Sequence, residues 1–127
     1  MNINEYLSAT IKGSVRNLFD TKIKSYPIIR PRLVCKDGFQ MSVQASEGHY
    51  CEPRENFLNH YDSVEIGYPS EEELLLLDYA EDPDELTDTV YGYVPTELVD
   101  KVLEKHGGID SDIMGKVIYD FLNRRDN

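Results

Sequence analysis

The chain has 127 residues, 40% hydrophobic and 29% charged, a length and composition that fit one globular domain with its own core and exclude a disordered or fibrous chain. Its net charge of −11 is unevenly placed: residues 55–100 carry fourteen Asp or Glu and no Lys or Arg, while residues 1–54 hold eight bases against five acids and residues 101–127 five of each. Such an anionic surface repels nucleic acid and membrane headgroups, and the longest apolar run, four leucines, falls far short of the ~20 residues of a membrane span, so direct nucleic-acid binding and membrane insertion are both read as excluded.

Ile3, Leu7, Ile11, Val15 and Leu18 recur every three or four residues, with Tyr6 and Phe19 widening the stripe, which predicts an amphipathic helix over residues 3–19 within an N-terminal region of residues 1–25. Lys12, Arg16, Lys22 and Lys24 form the ordinary polar face of such a docking helix. Pro27 and Pro31 close the segment. Two apolar stretches then flank Asp37-Gly38, a β-hairpin signal. With a two-residue turn Lys36 opposes Phe39 and Val34 opposes Met41, so Val34, Phe39, Met41 and Val43 share the core face and Cys35 points away from it.

A third strand, residues 63–68, turns Val64, Ile66 and Tyr68 inward. Residues 74–77 fit a short helix opened by a capping box at residues 70–73 and fit a buried strand equally well. Residues 89–94 are the last strand, with Gly92 admitting a bulge or a close backbone approach. Pro95 suits a first helical position, and Leu98, Val99, Val102 and Leu103 line a helix that ends at Gly107-Gly108. Asp110 or Ser111 caps a terminal helix over residues 109–127, in which Ile113, Met114, Val117, Ile118, Phe121 and Leu122 form one seam. That seam packs on the domain's own sheet or forms a homodimer contact, with Arg124-Arg125 beyond it. The fold predicted is α+β: a small, mainly antiparallel sheet of three to five strands, an N-terminal helix and two C-terminal helices in a single domain, residues 1–127.

Cys35 and Cys51 read as thiols, because the first residues show neither a basic nor an apolar leader pattern, and a reducing cytoplasm is expected. The densest cluster of chemically able side chains is Ser46, His49, Tyr50, Cys51 and Arg54. As a metal site, His49 and Cys51 would need Cys35 or His60, in a spacing that matches no standard zinc pattern. As a nucleophile, Cys51 would need His49 or a nearby cation to lower its pKa, and a spacing of two residues on an extended segment does not by itself bring their tips together. As an anion or nucleotide pocket, Arg54 supplies charge and Ser46, Tyr50 and the amides around Gly48 supply donors. The plain alternative is an ordered loop in which Arg54 pairs with Glu52 or Glu55 and Tyr50 packs over the hairpin. No metal or cofactor is expected.

Arg32-Leu33-Val34-Cys35, Gly38-Phe39-Gln40-Met41-Ser42-Val43-Gln44-Ala45-Ser46, His49-Tyr50-Cys51, Pro53-Arg54, Val64-Glu65-Ile66-Gly67-Tyr68-Pro69-Ser70 and Tyr91-Gly92-Tyr93-Val94-Pro95 together resemble a group of small proteins encoded by bacteriophages and prophages, over residues 30–108. The resemblance implies a host-directed accessory protein in the host cytoplasm, a class that includes inhibitors of CRISPR and restriction systems. Duplex DNA carries one charge per roughly 1.7 Å of axis, so a basic groove of a host protein or ribonucleoprotein accepts a rigid surface of similar carboxylate spacing. Glu71, Glu72, Glu73, Asp78, Glu81, Asp82, Asp84, Glu85 and Asp88 are the residues expected to form it. The expected function is therefore a non-enzymatic, acidic inhibitor of a nucleic-acid-handling complex such as a CRISPR effector. The alternatives are a ligand-binding or catalytic protein using residues 46–54, and a phage accessory protein with a purely structural interaction role.

Overall fold

The computed structural model describes residues 1–11 and 29–123. Helix α1 (Ile3–Ala9) is followed by strands β1 (Leu33–Val34), β2 (Gln40–Gln44) and β3 (Ser63–Gly67), a 3-10 helix (Leu74–Tyr79), strand β4 (Val90–Pro95), and helices α2 (Thr96–Lys105) and α3 (Ser111–Leu122). The four strands form an antiparallel meander in sequence order, so the α+β architecture with one N-terminal and two C-terminal helices is as predicted. The rest of the helix expected to residue 19, with Lys12, Arg16, Lys22, Lys24 and Pro27, lies outside the described residues, as does Arg124-Arg125.

Cross-strand pairing puts Val43, Ile66 and Tyr91 in one row and Val64 opposite Val94 on the same face. Ile3, Tyr6 and Leu7 of α1 and Val99, Val102 and Leu103 of α2 cover this face, completing a single core. Asn2 fixes the start of α1 through a capping box with Glu5, both hydrogen bonds being 2.8 Å. Asp100 of α2 accepts the Ile3 N–H at 2.8 Å and ties the two helices together.

The hairpin forms, but one residue out of the expected register: Leu33 pairs with Met41 and Val34 with Gln40. Its turn takes three residues, Lys36, Asp37 and Gly38, closed by the Cys35 N–H to the Phe39 carbonyl at 2.8 Å and the Gly38 N–H to the Cys35 carbonyl at 2.9 Å. Gly38 supplies the φ of +94° that this turn needs. A one-residue shift exchanges the faces of a strand. Leu33 and Cys35 therefore join Phe39, Met41 and Val43 in the core, and Val34, expected there, is only half-buried.

Tyr68, expected inside, stands just beyond β3 with φ +49° and is half exposed. Gly92 and Tyr93 face Glu65 across an irregularity between β3 and β4, the bulge that Gly92 anticipated. Pro95 ends β4 and caps α2 instead of opening the helix. At the other end of α2 the Gly108 N–H reaches the Leu103 carbonyl at 2.7 Å and the Gly107 N–H the Glu104 carbonyl at 3.1 Å, a Schellman motif with His106 at the C-cap. Helix α3 is capped by Asp110. Its seam is less covered than expected: Met114 is buried, Val117 and Ile118 are partly covered, and Ile113 is exposed.

Candidate binding surface

Residues 74–77 fold as a helix of the 3-10 type, and its geometry sorts the leucines. At three residues per turn, side chains at i and i+3 eclipse. Leu76 and Tyr79 therefore share the inward ridge, Leu74 and Leu77 share a second, and Leu75 and Asp78 a third. Leu76 is fully buried, whereas Leu74, Leu75 and Leu77 are 69, 42 and 41% exposed. The strand alternative fails because only one of the four leucines faces the core.

Glu73 is the exception among the nine carboxylates expected on the surface, since it is buried at 1% relative exposure. It caps the 3-10 helix by accepting the Leu75 N–H at 3.1 Å. Its other contacts lie on the end of α2: Lys105 Nζ at 2.8 Å and His106 Nε2 at 2.6 Å. The His106 ring stacks on Phe39, with centroids 4.0 Å apart, and its Nδ1 meets Asp37 Oδ2 at 2.6 Å. Two carboxylates on one imidazole require both ring nitrogens to donate, so His106 is an imidazolium. Burial acts to lower its pKa, but hydrogen bonds to Glu73 and Asp37 outweigh that and leave it raised. Burial likewise pushes the Glu73 carboxyl up, and Lys105, His106 and the Leu75 amide bring it below its ordinary value. Asp37 is held low by the Phe39 amide and His106.

The remaining eight, Glu71, Glu72, Asp78, Glu81, Asp82, Asp84, Glu85 and Asp88, are exposed. Among the described residues none of them forms an ion pair. The segment that carries them is ordered by its backbone: the Glu81 N–H bonds the Val90 carbonyl at 3.0 Å, the Asp82 N–H bonds Thr89 Oγ1 at 3.0 Å, and Asp82 Oδ1 accepts the Asp84 N–H at 3.1 Å. Buried Leu86, whose carbonyl accepts the Tyr91 hydroxyl, pins the far turn.

The loop cluster divides into an inner and an outer set. Ser46, His49 and Cys51 are buried, whereas Tyr50 and Arg54 are exposed, so the five do not share one concave surface. Ser46 Oγ lies 2.6 Å from His49 Nδ1 and accepts the Gly48 N–H at 3.0 Å. Burial lowers the His49 pKa and raises that of Cys51, whose thiol donates to the Ser46 carbonyl at 3.2 Å. A buried thiol held in its protonated form is a poor nucleophile. Arg54 bonds the Glu47 carbonyl at 3.1 Å and lies 5.3 Å from the Tyr50 ring centroid, in place of the expected pairing with Glu52 or Glu55. Tyr50 packs over β4, not over the hairpin: its carbonyl takes the Tyr93 N–H freed at the bulge, at 3.0 Å, and its ring meets that of Tyr93 at 5.9 Å. Among the described residues no three His, Cys, Asp or Glu side chains are grouped to hold a metal. No described helix is long and apolar enough to cross a membrane.

Sequence reasoning missed the cluster of Asp37, Glu73, Lys105 and His106. A Lys-His pair before Gly-Gly at a helix end was the available signal, because cations there favour carboxylate partners. Comparison with known proteins returns no match among family models, curated proteins or solved structures.

Proposed function

We propose that this chain is a non-enzymatic binding protein that offers a nucleic-acid-like anionic surface to the basic groove of a host nucleic-acid-handling complex, a CRISPR effector being the leading candidate. The observation that carries this reading is the set of eight exposed carboxylates without ion pairs among the described residues, on a segment held to β4 and to the end of α2. Anions paired with their own lysines would have little field left for a partner; these retain theirs. Anchoring matters as much as charge, because a surface ordered before binding avoids the entropy cost of ordering it at the interface. A phage or prophage origin, implied by the resemblance around residues 42–54, suits the role, and a homodimer through the partly open face of α3 is compatible with it.

The test is competition. Purified CRISPR effector ribonucleoproteins and nucleases are titrated with this protein while their retention of labelled duplex DNA is measured at rising salt. Displacement that weakens with salt and is lost in a variant carrying Glu81→Lys, Asp82→Lys and Glu85→Lys is the expected result. Equal displacement by wild type and this folded variant at every salt concentration would falsify the proposal.

A further inference from the structure

We infer that the outer face of the 3-10 helix docks a basic amphipathic helix of a protein partner, with Leu74, Leu75 and Leu77 as the apolar contact. The inference rests on the proposed role of the acidic surface and narrows it from charge alone to one kind of partner. Single exposed leucines are common on protein surfaces, but three within four residues, on a turn that needs only Leu76 for its anchor, form a patch. Leu74 is mostly uncovered, and Leu75 and Leu77 each leave about two-fifths of their surface open. Charge mimicry alone leaves them uncovered, so a partner that uses them must offer apolar side chains beside its basic ones.

The charge around the patch selects the occupant. Glu71 and Glu72 precede the leucines, Asp78 lies on the Leu75 ridge, and Glu81 and Asp82 follow, all exposed, with no Lys or Arg between residues 55 and 100. Interfaces of moderate affinity have an apolar centre and a charged rim, and the rim sets partner choice by complementarity. An apolar ridge rimmed by carboxylates complements a helix whose apolar stripe is rimmed by lysines and arginines. An acidic helix or an anionic membrane would be repelled. The ridge is also firmly placed, because Glu73 under its first turn is hydrogen-bonded to Lys105 and His106.

Two fluorescent synthetic peptides of about eighteen residues, five helical turns, serve as probes. Both have one composition of Leu and Lys; in the first the leucines fall at i, i+3, i+4 and i+7, and in the second the order is scrambled so that no apolar face forms. Fluorescence anisotropy against wild-type protein is expected to show the first binding about tenfold more tightly than the second. A variant with Leu74→Ser and Leu77→Ser is expected to bind both peptides alike, at the level wild type shows for the scrambled one. Leu74→Ser alone, at the most exposed position, gives a partial loss of preference and keeps the test decisive if the double variant is unstable. Glu71→Lys with Glu72→Lys weakens both peptides. Equal affinity of wild type for the two peptides overturns the inference and leaves the electrostatic reading intact, whereas absence of binding to either at low salt overturns both. Preference retained in the double leucine variant overturns the inference, and so does a leucine-dependent dimer in light scattering, which would assign the face to a second copy of the chain.

Discussion

His106 Nε2 lies 2.6 Å from Glu73 Oε1, joining the C-cap of α2 to the N-cap of the 3-10 helix across 33 residues of sequence. The same ring reaches Asp37 in the hairpin turn, and the backbone continues the connection: the Lys36 N–H bonds the Gly108 carbonyl at 2.9 Å and the Asp37 N–H the His106 carbonyl at 3.3 Å. Three segments far apart in sequence thus meet at one imidazolium, and the acidic surface is fixed to the core at this point.

The contribution of the Asp37, Glu73 and His106 cluster to stability should be greatest in mildly acidic solution. His106 has a raised pKa in the folded state, so its contribution is complete below its ordinary value of 6.5 and is lost as pH rises through the raised one. Glu73 and Asp37 are depressed, so theirs is complete above their ordinary values of 4.5 and 3.8 and is lost as pH falls through the lowered ones. The cluster's contribution, read as the difference in thermal midpoint between wild type and His106→Gln, should therefore decline on both sides of the interval from 4.5 to 6.5, whereas His49, whose pKa burial lowers, destabilises both proteins alike as pH falls below 6.5. His106→Gln should flatten the alkaline limb, and an unchanged limb would mean that the decline has another source.

His106→Ala should cost more than removal of an exposed ion pair. It leaves Glu73 buried with Lys105 as its remaining cation and opens the space beside Phe39. Breaking a buried pair from one side costs about 3 kcal/mol, against less than ~1 kcal/mol at the surface. Urea denaturation of this variant beside Asp62→Ala, whose carboxylate meets His60 in an exposed pair, measures the contrast.

Both thiols should be inert in the folded protein. Burial pushes Cys35 up to about 11, and it also raises Cys51. At neutral pH, alkylation followed by mass spectrometry should be slow for both and become fast in denaturant. Rapid labelling of Cys51 alone in native buffer would mean that the loop of residues 46–54 opens readily.

Gly92 should resist substitution. A Cβ placed there would stand 3.2 Å from the Tyr50 Cβ, where the Tyr93 N–H and Tyr50 carbonyl hold the loop against the bulge. Gly92→Ala must push that loop outward, at a cost of about 1–2 kcal/mol, and should accelerate Cys51 alkylation without affecting Cys35.

Elements with strong local signals were legible in the sequence: Gly107-Gly108 as a helix stop, Asp110 as a cap, Asp37-Gly38 as a turn, Gly92 as a bulge. The hairpin register was not, because Leu33, Val34 and Cys35 are all apolar and either face could have been the inner one. The loop residues were identified as a cluster, but alternating sequence positions do not tell which side chains turn inward, and here the inner and outer members part company. The capping-box pattern at residues 70–73 set Glu73 apart from Glu71 and Glu72, but no local rule showed that it would be the N-cap itself and buried. What buries it is Lys105 and His106, brought to it by the packing of α2 against the 3-10 helix.

The terminal helix supplies the sharpest contrast between pattern and packing. Ile113 and Met114 are neighbours in an apolar seam, yet Met114 is 1% exposed and Ile113 47%. Met114 belongs to the same buried cluster as Ile109, and partly covered Val117 and Ile118 pack against that cluster. Truncating a buried methionine removes its transfer energy and leaves a cavity, about 2–4 kcal/mol, whereas truncating an exposed isoleucine changes stability by about 0.5 kcal/mol or less. Met114→Ala should therefore lower the urea midpoint well below that of wild type, and Ile113→Ala should leave it nearly unchanged. If both variants lost stability equally, Ile113 would have to be covered in solution, and the dependence of the loss on protein concentration would then show whether a second copy covers it.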